Sequence, residues 1–272
     1  DLKRAYNGSS LKIDQNKVAI GKNSGSSTQG INCVAIGLEA GQTAQSGIAI
    51  GHKAGNNNQG TSSIAIGEQS GEFNQGTSSI AIGYKAGHTG QRYNAIAIGF
   101  TAGQDAQKTN AIAIGLEAGQ TAQSGIAIGK KAGKTNQNYG TIAIGDSSGQ
   151  AGQKQTAVAI GSEAGNSNQQ AGSVAIGYLA GKISQNTAAV AIGSNAGADS
   201  QGKFAIAIGY SAGYRNQPSG SIALNATDSQ LNPDQIGCFI NPIRGFQNTG
   251  TGSHPQYGLW YNEATHEICY NP

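Results

Sequence analysis

The feature that most constrains this chain is one short phrase that recurs in register along most of its length. The fifteen residues Gly37–Gly51 occur again, letter for letter, as Gly115–Gly129. Both copies belong to an array in which [Ile/Val]-Ala-Ile-Gly-x-x-[Ala/Ser]-Gly-x-x-x-Gln is found thirteen times between Val18 and Gln217. Self-similarity at a short fixed period is typical of solenoids, in which each unit buries its apolar surface only against its neighbours.

The spacing of the copies gives the length of one coil. The glycine that closes each Ile-Ala-Ile triplet recurs every sixteen residues, except for steps of fourteen at Gly37–Gly51 and Gly115–Gly129. The two short copies lack residues after their glutamine, which places the loop that tolerates change at that point. A degraded copy, Ser221–Asn225, follows the thirteenth.

The triplet is predicted to be a β-strand. Ile and Val are β-branched, and apolar residues two apart lie on one face of a strand while the intervening Ala lies on the other. Both faces are therefore apolar. The second glycine, four residues after the first and always preceded by Ala or Ser, predicts a tight corner with positive φ. A coil this short has room for two brief strands and two corners, so we expect a flattened parallel β-roll with all-β structure and coils of 14–16 residues.

The glutamine eight residues after each closing glycine is kept in all thirteen copies. It is found at Gln29, Gln45, Gln59, Gln75, Gln91, Gln107, Gln123, Gln137, Gln153, Gln169, Gln185, Gln201 and Gln217. This pattern has two interpretations. The amides form either a row that binds a ligand or an inward ladder in which they bind each other. A buried polar group needs a partner in every coil, whereas a binding surface does not need the same residue in every coil. The pattern therefore favours a structural ladder.

Composition excludes several classes of protein. Charged residues make up 11% of the chain and the net charge is +3 with basic residues scattered, so no surface for nucleic acid is expected. No apolar run approaches eighteen residues, so no membrane span is expected. The histidines and the three cysteines show no metal-ligand spacing, and no catalytic constellation is present. We expect no cofactor, no metal and no enzymatic activity, and isolated thiols rather than a Cys238–Cys269 disulfide.

A flat roll encloses one apolar face of each strand and leaves the other outside. Because both faces are apolar here, a stripe remains that an identical partner would cover. A symmetric homotrimer around a central axis is the expected assembly.

The triplets also resemble a known family. Ser63–Gly67, Val158–Gly161 and Ser173–Gly177 resemble the head repeat of bacterial trimeric autotransporter adhesins, and the resemblance covers Val18–Leu224. It implies a trimeric, left-handed parallel β-roll. The fixed glutamine and the Ala-Gly corner depart from that family's pattern and look more like repeat proteins of large DNA viruses and phage fibres.

The carboxyl-terminal segment differs in composition, with all five prolines and the only Trp after residue 217. Cys238–Arg244, Leu259–Asn262 and Glu267–Tyr270 resemble the closing segment of such viral proteins, which implies a virion or fibre component. Leu259–Asn262 and Glu267–Tyr270 are predicted to form a hairpin with a four-residue loop. The expected organisation is an N-terminal cap or partial first coil at 1–17, the solenoid at 18–224, and a C-terminal cap at 225–272.

These observations predict a structural or attachment fibre protein on a virion or cell surface. The expected partners are copies of itself, other virion proteins, or a host glycan or surface receptor. The alternative is a carbohydrate-binding module that recognises a receptor. Exposed aromatic residues are its candidate contacts: Tyr84 and Phe100, which follow the closing glycines of adjacent coils, and Trp260. Tyr84 and Phe100 are expected to pack against each other more readily than against a sugar.

Overall fold

The structure, a computed structural model, describes residues 11–14, 16–243, 259–262 and 267–270. Every regular element in these ranges is a β-strand. The strands are β1 (Leu11–Asp14), β2 (Lys17–Ile20), β3 (Cys33–Ile36), β4 (Ile48–Ile50), β5 (Asn57–Gln59), β6 (Ile64–Ile66), β7 (Phe73–Gln75), β8 (Ile80–Ile82), β9 (Ile96–Ile98), β10 (Ile112–Ile114), β11 (Ile126–Ile128), β12 (Ile142–Ile144), β13 (Val158–Ile160), β14 (Val174–Ile176), β15 (Val190–Ile192), β16 (Ile206–Gly209), β17 (Ile222–Asn225), β18 (Cys238–Asn241), β19 (Leu259–Asn262) and β20 (Glu267–Tyr270).

The triplets stack into one long sheet. Sixteen strands, β1 to β18 without β5 and β7, are hydrogen-bonded in chain order, and all neighbours from β2 onward are parallel. Equivalent residues face each other without a register shift, as Ala97 does with Ala113 and Ala113 with Ala127, even across the short coil. The predicted all-β parallel solenoid with coils of 14–16 residues is confirmed.

The second wall of each coil is thinner. β5 and β7 pair in parallel, and elsewhere the wall is held by single bridges such as Thr89 to Asp105 and Asp105 to Thr121. These bridging residues lie two positions before each glutamine. Two walls joined by two corners make the flattened coil that the length of the repeat predicts.

The apolar part of the interior is built from the smallest side chains. The central Ala of the triplets is fully buried in every coil, as is the Ala or Ser that precedes the corner glycine in nearly all of them, so the core contains Ala97 and Ala102 but no Ile. A Cβ at Gly103 would lie 3.2 Å from the Cβ of Ala97, because the corner packs directly against the main strand of its own coil. Larger side chains would force the walls apart, and the Ile and Val residues therefore face outward.

The corners depend on left-handed backbone. The second glycine has φ near +50°, as in Gly103 (φ +53°), which confirms the predicted positive-φ corner. The residue two positions after each closing glycine is also left-handed although it is never glycine, for example Lys85 (φ +51°) and Leu179 (φ +58°). Left-handed residues at several points of each coil wind the chain into so small a loop.

At the N-terminal end of the sheet, β1 pairs antiparallel with β2, with Leu11 opposite Ile20. An antiparallel strand therefore lies at this edge of the sheet, and both the cap and the partial first coil remain predictions for residues 1–17. Residues 1–10 lie outside the described part of the chain.

At the other end, the sheet continues one strand beyond the boundary expected at Leu224. β18 pairs in parallel with β17 and its residues follow those of β17 by sixteen, Cys238 opposite Ile222. Phe239 holds the place of the central Ala. Leu231 packs against the last alanines of the core and hydrogen-bonds to the corner of the preceding coil at Gly213.

The chain divides into two units at Pro242. In the second unit, β19 and β20 pair antiparallel with Leu259 opposite Tyr270, as the predicted hairpin requires. Its loop, residues 263–266, and the rest of the unit outside the two strands lie beyond the described residues.

Candidate functional site

The glutamines lie inside the roll. All except the half-buried Gln29 are no more than 2% exposed, and they are the largest fully buried side chains. The Gln107 Nε2 donates to the carbonyl of Ile96 in its own coil at 2.7 Å and to that of Ala111, just before the next strand, at 3.2 Å. The same Nε2 reaches Oε1 of Gln123 at 3.0 Å. One amide thus ties two successive coils together, and it is closed to any ligand in solvent.

The amide-to-amide bonds form two continuous runs. Nε2···Oε1 distances of 3.0–3.4 Å link four glutamines from Gln75 to Gln123 and six from Gln137 to Gln217. The break between Gln123 and Gln137 falls at a short coil. There Nε2 of Gln123 turns to the carbonyl of Gly125, two residues along instead of four. The two missing residues therefore lie between glutamine and strand, where the sequence placed the tolerant loop.

Four of the rungs are less well satisfied. The Oε1 atoms of Gln45, Gln59, Gln75 and Gln137 are buried without a hydrogen-bond partner. Gln45 is the glutamine of the other short coil, Gln59 and Gln75 belong to β5 and β7, and Gln137 lies in the coil after the second short one. The amide run is thus interrupted where the geometry of the coil changes.

The outer face of the main sheet is a continuous apolar surface. Each coil contributes two apolar side chains to it, all β-branched except Leu224, and these are only partly covered: Ile176 is 36% exposed, Ile192 37% and Ile208 40%. The two columns run from Val18 and Ile20 to Ile222 and Leu224. We call this surface the Ile/Val face. Monomeric proteins rarely expose an apolar patch that extends over so many residues.

Beside the Ile/Val face runs the variable column that follows each closing glycine. Its residues are exposed in nearly every coil. Some neighbours in the column are matched: Tyr84 stacks on Phe100 with ring centroids 5.0 Å apart and planes at 20°, and Lys130 pairs with Asp146 at 3.5 Å. The two aromatic rings therefore pack on each other. This is the arrangement that the sequence analysis favoured, in preference to a contact of both rings with a sugar.

Charged residues elsewhere are also matched between neighbouring coils. Lys134 donates to Glu117 at 2.6 Å, and this hydrogen bond lowers the pKa of the Glu117 carboxyl. His88 Nε2 lies 3.0 Å from the buried carboxylate of Glu72. Such pairs stabilise the stacking of one coil on the next. The burial of alanine side chains alone contributes little to this stacking.

A groove of about 630 Å³ breaks this regular surface on the thin wall. It arises where the residue after the glutamine changes from glycine in two coils, Gly60 and Gly76, to Arg92 and Lys108 in the next two. A Cβ at Gly76 would lie 2.5 Å from the carbonyl carbon of Arg92, so the glycine coils follow a tighter path.

Tyr93 and Asp105 also line this groove, and the sequence analysis did not single out either of them or the two cations. Tyr93 is 58% exposed. The available signal was the pair of basic residues exactly one repeat apart, directly after two ladder glutamines. We call this site the Tyr93 groove.

Other predicted residues have simpler positions. Trp260 lies in β19, but its side chain is outside the described part of the structure, as is that of Cys269. Cys238 is exposed and Cys33 is buried, both as free thiols. Burial raises the pKa of the Cys33 thiol.

Among the described residues, no group of three or more His, Cys, Asp or Glu side chains is placed to hold a metal ion. The same ranges contain no helix with the length and apolar character needed to span a bilayer. Comparison with protein-family models, with curated proteins and with solved structures finds no match for this chain.

Proposed function

We propose that this chain is a non-catalytic structural segment of a fibre on a virion or cell surface, and that it works as a homotrimer. The observation that carries the proposal is the Ile/Val face. An apolar surface of two β-branched columns along fourteen coils is stable in water when another surface covers it. A second copy of this chain offers the same surface in the same 16-residue repeat.

The interior supports a mechanical role. More than half of the backbone amides of a coil donate to the coil before or after, for example Gly99 to Ile82 and Gly103 to Ala118. Buried amide columns add side-chain bonds along the same axis. A rod in which each coil is hydrogen-bonded to its neighbours resists local unfolding and proteolysis. Its placement on a virion or cell surface follows from the resemblance of the triplets and of the carboxyl-terminal segment.

The mass of the particle in solution tests the proposal. Sedimentation equilibrium is expected to give three times the 27.4 kDa mass of one chain. The double variant Ile98→Glu, Ile114→Glu places charges on the Ile/Val face and should yield monomers. Thr121→Glu with Thr135→Glu puts the same charges on adjacent coils of the thin wall and should leave the trimer intact.

Circular dichroism of each variant checks that the β-structure is retained. A wild-type chain that sediments as a monomer overturns the proposal. So does equal dissociation by the two double variants, since this would separate assembly from the Ile/Val face. Antibody binding to intact particles or cells tests the location.

A further inference from the structure

We infer that the Tyr93 groove is a binding site for an acidic saccharide, a sugar that carries a carboxylate. Two unpaired cations, an unstacked aromatic ring and a set of amide and hydroxyl groups meet there. The site lies on the thin wall, on coils whose Ile/Val face is left free for self-association, so it adds recognition to the structural role.

The cations carry the charge argument. Arg92 and Lys108 each follow a ladder glutamine in adjacent coils, so their backbones lie about 4.8 Å apart along the stack. Both are exposed, and neither forms an ion pair in the described part of the chain, where the neighbour-matched charges have opposite sign. Like charges placed side by side are destabilising. An anion bound from solution would supply the partner that both side chains lack.

The aromatic ring indicates what the anion is attached to. Tyr93 is 58% exposed. Among the described residues its ring stacks on no other ring and its hydroxyl forms no hydrogen bond, in contrast to Tyr84 on Phe100. An exposed tyrosine ring can pack against the apolar face of a pyranose while its hydroxyl bonds to the sugar.

Polar groups around the ring fit sugar hydroxyls. The Asn74 Oδ1 accepts a hydrogen bond from Asn58 at 3.1 Å, which leaves the Nδ2 of Asn74 as a free donor. The Asp105 carboxylate also lines the groove without an ion pair and can accept from a hydroxyl. A bare sulfate has no hydroxyl group to donate to this carboxylate, whereas a saccharide has several. Two cations on one short groove do not provide the continuous basic track of a nucleic-acid site.

The test uses the full chain and two acidic probes, 3′-sialyllactose and tri-galacturonic acid, with lactose as the neutral counterpart of the first. Saturation-transfer NMR and titration are expected to detect at least one acidic probe and to show much weaker binding of lactose. Arg92→Ala and Tyr93→Ala should each weaken binding by about tenfold or more, the effect of losing one charge-assisted bond or one stacking surface.

Tyr139 provides the matched control. It occupies the same slot of a later coil and is 74% exposed, but Asn138 stands where Arg92 stands beside Tyr93. Tyr139→Ala should leave affinity unchanged. No binding of either acidic probe overturns the inference, as does an equal loss in Tyr139→Ala, equal affinity for lactose, or equally strong binding of sulfate.

Sedimentation of the same samples separates this inference from the proposed function. Loss of saccharide binding in a particle of unchanged mass concerns the groove alone. A monomeric wild-type chain that binds the saccharide retains the groove and refutes the trimer.

Discussion

Gly103 and Gln107 share a space that holds only one side chain. A Cβ at Gly103 would lie 2.8 Å from Oε1 of Gln107, and the glycine itself is left-handed with φ +53°. The corner glycine of nearly every coil stands in this relationship to the glutamine four residues later, as Gly149 does to Gln153 at 2.7 Å. The Gly-x-x-x-Gln spacing of the repeat is therefore a packing constraint, in which the missing Cβ makes room for the buried amide.

Gly103→Ala should lower the free energy of unfolding by about 2–4 kcal/mol, because the methyl group displaces the Gln107 amide and the backbone is strained. In a Gln107→Ala background the amide is gone, and the same change should cost only the left-handed strain of about 1–2 kcal/mol. Urea unfolding of the four proteins at one concentration measures this coupling. Additive costs would show that the two positions do not share the space.

Gln107→Leu should lower the free energy of unfolding by about 1–3 kcal/mol, because it leaves buried partners without hydrogen bonds. Gln107 donates to Ile96, Ala111 and Gln123 and accepts from Gln91.

Gln59→Leu is the matched control, since the Gln59 side chain makes one hydrogen bond, to Ile48, and its Oε1 is unpartnered. Thermal and urea unfolding should show a clearly smaller loss for Gln59→Leu. Equal losses would mean that the amide run contributes nothing beyond the bond to the coil's own strand.

The repeat predicted the strands, the corner glycines and the fold class, because each is set by local chemistry that recurs in register. It did not determine which apolar face of the strand lies inside. Ile98 and Ala97 are both apolar, and only the close approach of the corner at Gly103 to the strand excludes the larger side chain from the core. The sheet's last strand also escaped detection, since Phe239 replaces the Ala that marks every earlier triplet.

The Tyr93 groove was not predictable from the repeat. Arg92 and Lys108 lie in the loop after the glutamine, which sequence comparison of the copies identifies only as tolerant. The depression exists because the coils with Gly60 and Gly76 follow a tighter path than their successors. That change of path depends on contacts between coils, which no single copy of the repeat encodes.

The pair of Glu117 and Lys134 should make stability depend on pH. The hydrogen bond from Lys134 holds the pKa of Glu117 below its ordinary value of 4.5. A carboxyl with a lower pKa in the folded state contributes stability that is fully present above its pKa in the unfolded state and is lost as the pH falls through the folded value.

Lys134→Met should therefore lower the unfolding midpoint at neutral pH and reduce the further loss on acidification below pH 4.5. Lys154→Met is the control, because Lys154 is exposed and forms no ion pair in the described part of the chain. Melting curves across the acid range measure both. Parallel pH profiles for wild type and Lys134→Met would contradict the role of the pair.

The slot two residues before each strand tests the cost of winding so small a coil. Ala188 is left-handed there with φ +53°, whereas Gly172 fills the same slot with φ +67° and no atom within 4 Å of a Cβ. Left-handed strain of about 1–2 kcal/mol outweighs the entropy cost of about 0.5–1 kcal/mol that glycine adds. Ala188→Gly should therefore raise the free energy of unfolding, and Gly172→Ala should lower it by a similar amount.

Gly99→Ala should cost far more, because φ is +128° and a Cβ would lie 2.6 Å from the backbone oxygen of Gly115 in the next coil. Urea unfolding of the three variants orders these effects. A cost for Gly99→Ala no greater than for Gly172→Ala would show that the closing glycines are required for their backbone angle alone, and not for the contact between coils.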